Sequence, residues 1–327
     1  MKRIILLMLN LGLGIHAQTT NSLVRNAVEK ALPALQQAGP VFAKKTGCIS
    51  CHHQTLPARV TAMASERGYN YDRKLEADTT RAILGIIQPA REVLIEGSDV
   101  VPQLPASGGH MLMALAAQHY PADATTAAIV HGIGLRQRPD GSWTGWAQRA
   151  PISGGDIRET VAGLRGLDLY APPGRRAEFN SRIVRARQWL VNAKPATPEE
   201  SIARLQGLVW AHADDRDVNA AAKAVIAMQR VDGGWAQLDS RESDAFATGE
   251  ALLALYGSGA VQRADSTYRR GVEYLLRTQA ADGSWHVKTR AYPFQPLIDT
   301  GYPHGRDQWI SAAGTSYALM ALMVGEN

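Results

Sequence analysis

Gln279-Ala-Ala-Asp-Gly-Ser-Trp285 is the last of three closely similar segments, the others being Gln137-Arg-Pro-Asp-Gly-Ser-Trp143 and Gln229-Arg-Val-Asp-Gly-Gly-Trp235. Their tryptophans lie 92 and 50 residues apart, and 92 is two steps of 46. Each segment follows a helical pattern. Tyr268 to Thr278 carries Val272, Leu275 and Leu276 on one stripe, and Ala221 to Met228 is Ala-rich with Val225 and Ile226. Asp-Gly then turns the chain, because glycine enters positive φ without steric cost. The Gln amide and Trp indole suit pinning that turn to the neighbouring unit by hydrogen bonds and broad apolar contact. A recurrence at this spacing, led by a helix, predicts repeated helix pairs. The missing step falls on Ala186-Arg-Gln-Trp-Leu-Val-Asn-Ala-Lys194, which keeps the helical lead-in and lacks the Asp-Gly-x-Trp ending.

After each turn a second, inner helix is expected. Six starts are countable, at His52–Pro57, Ser107–His110, Ser153–Asp156, Thr197–Glu200, Ser243–Asp244 and Gly305–Gln308. Thr197, with Pro198 at N1 and Glu200 at N3, forms a capping box. The bodies are small and apolar, as in Met111–Ala117, Ala251–Leu255 and Ala312–Leu322, which suits helices buried on more than one side. Six such pairs predict an all-α fold, an α6/α6 toroid, because closing the ring leaves no end to cap. Ala27–Leu32 matches Gly271–Leu276 in residue type. Where the later copy runs into Gly283-Ser-Trp285, the earlier one reaches Gly47-Cys-Ile-Ser-Cys51. The cysteine segment is therefore expected to replace a repeat corner, embedded in one toroid domain spanning 18–327.

The chain has 327 residues, 45% of them apolar and 20% charged, a composition that supports a folded core and excludes a disordered tail or a small disulfide scaffold. Its charge of +5 is spread without a basic block, which argues against nucleic-acid binding. Met1-Lys2-Arg3 and the apolar run Ile4–Ile15, ending in Ile15-His16-Ala17, read as a signal peptide cleaved before Gln18. The run is too short to span a bilayer comfortably. A periplasmic or secreted protein is expected, in a thiol-oxidising setting and with no integral membrane span after cleavage.

The two cysteines both lie in Cys48-Ile-Ser-Cys51-His52, the C-x-x-C-H signature of covalent haem c. Cys48 and Cys51 would bond the porphyrin and His52 would ligate the iron. A Cys48–Cys51 disulfide and a Cys/Cys/His/His metal site including His53 are the alternatives. The latter suffers because four ligands within six residues hardly surround an ion tetrahedrally. For the second axial position His110 comes first and His304 second. Met63 and Met111 are thioether candidates with core roles as the competing reading, and an open distal position is the remaining option.

The Gln-x-x-Asp-Gly-x-Trp segments resemble the QW repeats of the squalene–hopene cyclase and prenyltransferase superfamily, strongly over 105–325. The resemblance implies an α6/α6 toroid with an apolar central cavity. It does not carry over the chemistry. The Asp-x-Asp-Asp acid of the bacterial cyclases is missing, and Asp214-Asp-Arg-Asp217 has the wrong order and precedes an outer helix. The prenyltransferase zinc set is also missing, since no cysteine follows Cys51. The whole chain is similar to an exported bacterial group in which a haem-c motif precedes squalene-cyclase-like repeats.

If the inner helices open on one mouth, their first turns place His52, His53, His110, Asp156, Arg158, Glu159, Glu200, Asp244, His304, Arg306 and Asp307 around it. The acids also suit plain helix-start roles, while Arg158 and Arg306 suit carboxylate binding. Tyr292, Phe294, Tyr302 and Trp309, in the long Pro-rich stretch near the C-terminus, are expected either to cover the mouth as a lid or to plug the ring. The leading expectation is an exported haem-c (iron) protein that performs redox chemistry on, or senses, a hydrophobic small molecule, with a redox partner protein. Alternatives are a non-catalytic electron carrier, a haem-free toroid binding a terpenoid or peptide, and a terpene cyclase, which the absent acid motif disfavours.

Overall fold

The computed structural model describes residues 2–146, 149–293 and 296–326, with side chains from residue 21 onward. Among them twelve α-helices alternate as outer and inner partners of six pairs: α1 (Lys2–Thr46) with α2 (Leu56–Glu66), α3 (Arg73–Ile95) with α4 (Leu104–Ala117), α5 (Ala124–Leu135) with α6 (Gly155–Tyr170), α7 (Arg176–Asn192) with α8 (Pro198–Trp210), α9 (Asp215–Ala227) with α10 (Ala245–Gly257), and α11 (Ser266–Thr278) with α12 (Gln308–Val324). The inner helices touch in the order α2, α4, α6, α8, α10, α12, and α12 packs back on α2. The ring closes. The fold is the all-α, helix-pair toroid that the repeat pattern predicts.

Small residues make the inner ring tight. Every residue of α12 from Ile310 to Met323 is buried. A Cβ at Gly249 of α10 would meet the Tyr317 carbonyl carbon of α12 at 2.5 Å, so glycine is needed for this approach. Outer helices instead have one buried stripe, such as Tyr268, Val272 and Leu275 in α11, and an opposite solvated face.

The three Gln–Trp corners share one hydrogen-bond plan. The Trp indole N–H donates to the preceding outer helix: Trp143 to Ile133 O (2.7 Å), Trp235 to Val225 O (2.8 Å) and Trp285 to Leu275 O (2.8 Å). The Trp backbone N–H donates to a threonine hydroxyl on the inner helix, Thr160, Thr248 or Thr315. The Gln amide donates both to its own turn and to the next outer helix, at Arg182 O, Thr267 O and Ala27 O respectively. All three indoles are fully buried, and truncating a buried Trp costs about 3–5 kcal/mol. The absent fourth corner is served differently. Arg204 of α8 donates to Leu190 O and Val191 O at the end of α7, so a side chain caps carbonyls where a turn would otherwise stand.

The first pair joins through the cysteine segment. Cys51–Thr55 winds as a π-turn that runs directly into α2. Ser50 caps it by accepting from His53 N at 3.1 Å. Gln54 accepts from Ser50 N (2.8 Å) and donates to Gly39 O of α1 (2.7 Å). Among the described residues no helix is long and apolar enough to cross a membrane.

Candidate functional site: a cleft at the mouth of the ring

The centre of the toroid is filled. Arg158 of α6 donates two parallel hydrogen bonds, of 2.8 and 2.7 Å, to the Glu250 carboxylate of α10, and both side chains are buried. The guanidinium also lies 5.7 Å from the Phe246 ring centroid. Burial opposes the Arg158 charge, and the adjacent Glu250 carboxylate outweighs it, so the guanidinium is held firmly protonated. His110, Trp210 and Tyr317 close in around the pair, leaving about 20 Å³, room for about one water. Burial and the nearby Arg59 and Arg158 push His110 down to about 3, so its imidazole is neutral. The apolar central cavity implied by the resemblance is replaced by a polar, packed centre.

Space opens instead at the mouth, as a cleft of about 640 Å³, within the roughly 300–1,000 Å³ typical of small-molecule sites. Phe42 of α1, His52 and His53 of the π-turn, and Trp309 at the start of α12 form its inner side. Their rings interlock edge to face. His52 lies 5.4 Å from Phe42, 4.5 Å from His53 and 5.6 Å from Trp309, centroid to centroid. The outer side is formed by Thr289, Ala291, Tyr292, Pro293, Pro296, Leu297 and Ile298, while Arg149 and Arg306 supply positive charge. Burial, the neighbouring His53 and Arg149 hold His52 well below the usual histidine range, and burial pushes His53 down to about 3. Both are neutral at physiological pH.

The outer wall is pinned at both ends. The Arg290 guanidinium pairs with Glu199 at the start of α8 and donates to Gln237 Oε1 at 2.9 Å. Gln237 in turn donates to Asp244 at 3.0 Å. Burial raises the Asp244 carboxyl to about 6 although Ala247 N–H and Gln237 stabilise its charge. At the same end, Asp307 accepts from Thr289 N at 2.9 Å and pairs with His286 at 2.8 Å, and the downstream end is held at Thr300. Thr300 donates through its N–H and its hydroxyl to Gln308 Oε1, both at 2.7 Å.

Of the residues expected around one mouth, only His52, His53 and Arg306 line this cleft. Asp156 accepts from Arg138 and Gly145 N and so holds the first Gln–Trp corner. Arg158 and His110 belong to the ring centre. Glu159 is buried and accepts from Ala106 N at 2.9 Å, while its other oxygen has no partner among the described residues; burial lifts its carboxyl to about 8. Asp244 caps α10, and Glu200 accepts from Ala196 N beside the Thr197 cap. His304 bonds Ser284 Oγ at 2.6 Å and stacks on His286. Tyr292 and Trp309 do face the cleft, but Tyr302 is buried with its hydroxyl on Thr315. Phe294 lies outside the described residues.

The haem expectation is overturned. Among the described residues no three His, Cys, Asp or Glu side chains gather into a group able to hold a metal ion. His52 faces the mouth cleft whereas His110 lies in the ring centre, so the two expected iron ligands do not face one space. His304 is engaged with Ser284, and Met63 and Met111 pack into the core. Cys48 and Cys51 are free thiols rather than a disulfide, and burial pushes the Cys51 thiol up to about 12. The expected haem c, its iron, the redox chemistry on a small molecule and the electron-carrier alternative fall together, as does the likeness to an exported haem-bearing group.

Sequence reasoning anticipated the Pro-rich stretch with Tyr292 at the mouth but missed Phe42 and Arg149 in the cleft, and the Arg158–Glu250 pair. A signal for the pair existed, because Glu250 is the one charged residue in the run Ala245–Leu255.

No protein-family model and no curated protein matches the chain. Solved structures do. An ent-copalyl diphosphate synthase from Streptomyces platensis superposes with a TM-score of 0.53 at 16% identity, covering 90% of this chain and 50% of that one. The apo type II terpene cyclase MstE from Scytonema gives 0.55 at 16% identity over 93% and 98% of the two chains. A variant of MstE in complex with geranylgeranyl dihydroxybenzoate gives 0.56 at 14%, over 94% and 99%. The chain thus spans half of the copalyl diphosphate synthase and nearly all of MstE. At these identities the likeness is one of fold, and it bears on the toroid rather than on its chemistry.

Proposed function

We propose that the protein binds a hydrophobic small molecule of the prenyl or terpenoid type, with an anionic end, in the mouth cleft. The carrying observation is the pairing of an apolar aromatic wall, Phe42, Trp309 and Tyr292, with Arg306, for which no ion pair or hydrogen bond is formed among the described residues. Apolar walls with a few placed polar groups are the ordinary make-up of a small-molecule site, and a guanidinium suits a carboxylate or phosphate. The terpenoid class is supported by the toroid fold and by the geranylgeranyl dihydroxybenzoate that MstE holds. Binding rather than cyclisation is favoured because the Asp-x-Asp-Asp acid is missing and the ring centre is packed. The leader-like segment 1–17 supports an extracytoplasmic setting.

Calorimetric titration with geranylgeranyl diphosphate, geranylgeranoic acid and geranylgeraniol tests this. Saturable binding of the two anionic amphiphiles is expected. Trp309→Ala should weaken it more than tenfold, as truncating an aromatic anchor does, and Arg306→Ala should narrow the gap between the acids and the alcohol. Lack of saturable binding by all three, or binding indifferent to Trp309→Ala, would refute the proposal.

A further inference from the structure

The hydrogen bonds around His52 determine which of its ring nitrogens carries the proton. Gln54 is oriented unambiguously, since its Oε1 accepts from Ser50 N at 2.8 Å and its Nε2 donates to Gly39 O at 2.7 Å. Ser50 Oγ lies 2.8 Å from the same Oε1, a separation that needs the hydroxyl proton to point at Gln54. With its proton committed, Ser50 Oγ is an acceptor toward everything else. It accepts from His53 N at 3.1 Å and faces His52 Nδ1 at 3.4 Å, so Nδ1 bears the hydrogen and donates. A neutral imidazole protonated at Nδ1 has a bare lone pair at Nε2. No partner accepts or donates at Nε2 among the described residues. His52 lines the cleft, and its Nδ1 edge is the one turned to Ser50.

We infer that His52 Nε2 is a preset hydrogen-bond acceptor at the inner end of the cleft, selecting a ligand that carries a hydroxyl group there. The inference rests on the cleft being a small-molecule site. Buried acceptors left unmatched are costly, so a site of this kind rejects analogues that lack the donor. Phe42 and Trp309 pack against the imidazole and limit its rotation, which fixes the lone pair's direction. Arg306 and His52 would then read the two parts of one polar end, an acid and a hydroxyl, as a hydroxylated aromatic acid on a prenyl chain offers.

The test compares a geranylgeranyl hydroxybenzoate with its O-methyl ether by calorimetric titration of the full chain. The phenol should bind at least tenfold more tightly than the ether, and His52→Phe should bring the two within about twofold. Nitrogen-15 NMR of the unliganded wild-type protein should show His52 protonated at Nδ1, a readout that needs neither ligand nor variant. Equal binding of phenol and ether, or an imidazole protonated at Nε2, would overturn the inference while leaving the cleft a binding site. Failure of both compounds to bind would remove the binding reading itself, and the inference with it.

Discussion

The side-chain amide of Gln279 donates to the carbonyl of Ala27, 252 residues earlier in the chain, at 2.9 Å. Gln137 and Gln229 make the same bond to outer helices only 45 and 38 residues ahead. One repeated device therefore acts twice within the chain's progression and once as the clasp that joins its last pair to its first.

Gln279→Ala removes that clasp together with the bond to Gly283 O. Leaving two carbonyls without their donor should cost about 1–3 kcal/mol. Urea unfolding should show a loss of that size. Hydrogen exchange should rise in α1 and α11 more than in α5 and α7, a pattern that an ordinary turn mutation would not produce.

Gly283→Ala should be worse than Gly68→Ala. Both glycines have positive φ, +91° and +69°, but a Cβ at Gly283 would meet Lys30 O at 2.7 Å, while nothing lies within 4 Å at Gly68. Conformational strain alone costs about 1–2 kcal/mol. The backbone clash at Gly283 adds to it, so thermal unfolding should fall several degrees further for Gly283→Ala.

In the ring centre, Arg158→Met or Glu250→Leu alone strands a buried charge and should destabilise by about 3–5 kcal/mol. The double replacement Arg158→Met with Glu250→Leu should recover most of the loss, since two apolar side chains of similar volume need no counter-charge. Chemical denaturation of the four proteins in a double-mutant cycle measures this directly. A double variant as unstable as the sum of the singles would show the pair to be indispensable to the packing.

Glu159 sets a slope of stability with pH. Its folded value of about 8 exceeds its ordinary 4.5, because burial outweighs the Ala106 N–H that stabilises the charge. A carboxyl raised on folding contributes stability that is complete below 4.5 and fades as pH rises through about 8. Glu159→Gln keeps an acceptor for Ala106 N without the charge. Its stability relative to the wild type should therefore improve steadily from pH 5 to pH 8, which urea midpoints across that range would reveal.

Arg290→Met leaves the Glu199 carboxylate buried and without its partner and loosens the upstream end of the cleft wall, which then keeps the Thr289–Asp307 bond. Limited proteolysis between residues 289 and 298 should accelerate, and the affinity for an anionic amphiphile should fall even though Arg290 itself does not line the cleft.

The toroid was legible because its determinants are local and repeated. Trp143, Trp235 and Trp285 each answer an Asp-Gly turn and an amphipathic helix, and such signals recur at a spacing that one pair of helices requires. The threonines that receive the Trp backbone N–H groups were equally present, at 160, 248 and 315, yet their separations from the tryptophans are 17, 13 and 30 residues, so no fixed interval betrays them. Cys48–Cys51–His52 misled for the opposite reason. A five-residue pattern names atoms capable of binding a porphyrin, but not what packs around them.

The chain by itself determined six helix pairs, the closed ring and the corners that hold it, because helix periodicity and turn chemistry act between near neighbours. Only the tertiary structure decided where open space remains. Arg158 and Glu250, 92 residues apart, meet and fill the centre, while Phe42, His52 and Trp309 come together from opposite ends of the chain to face an opening at the mouth. Volumes left empty depend on every side chain that converges on them, and convergence across the ring has no signature in residue order.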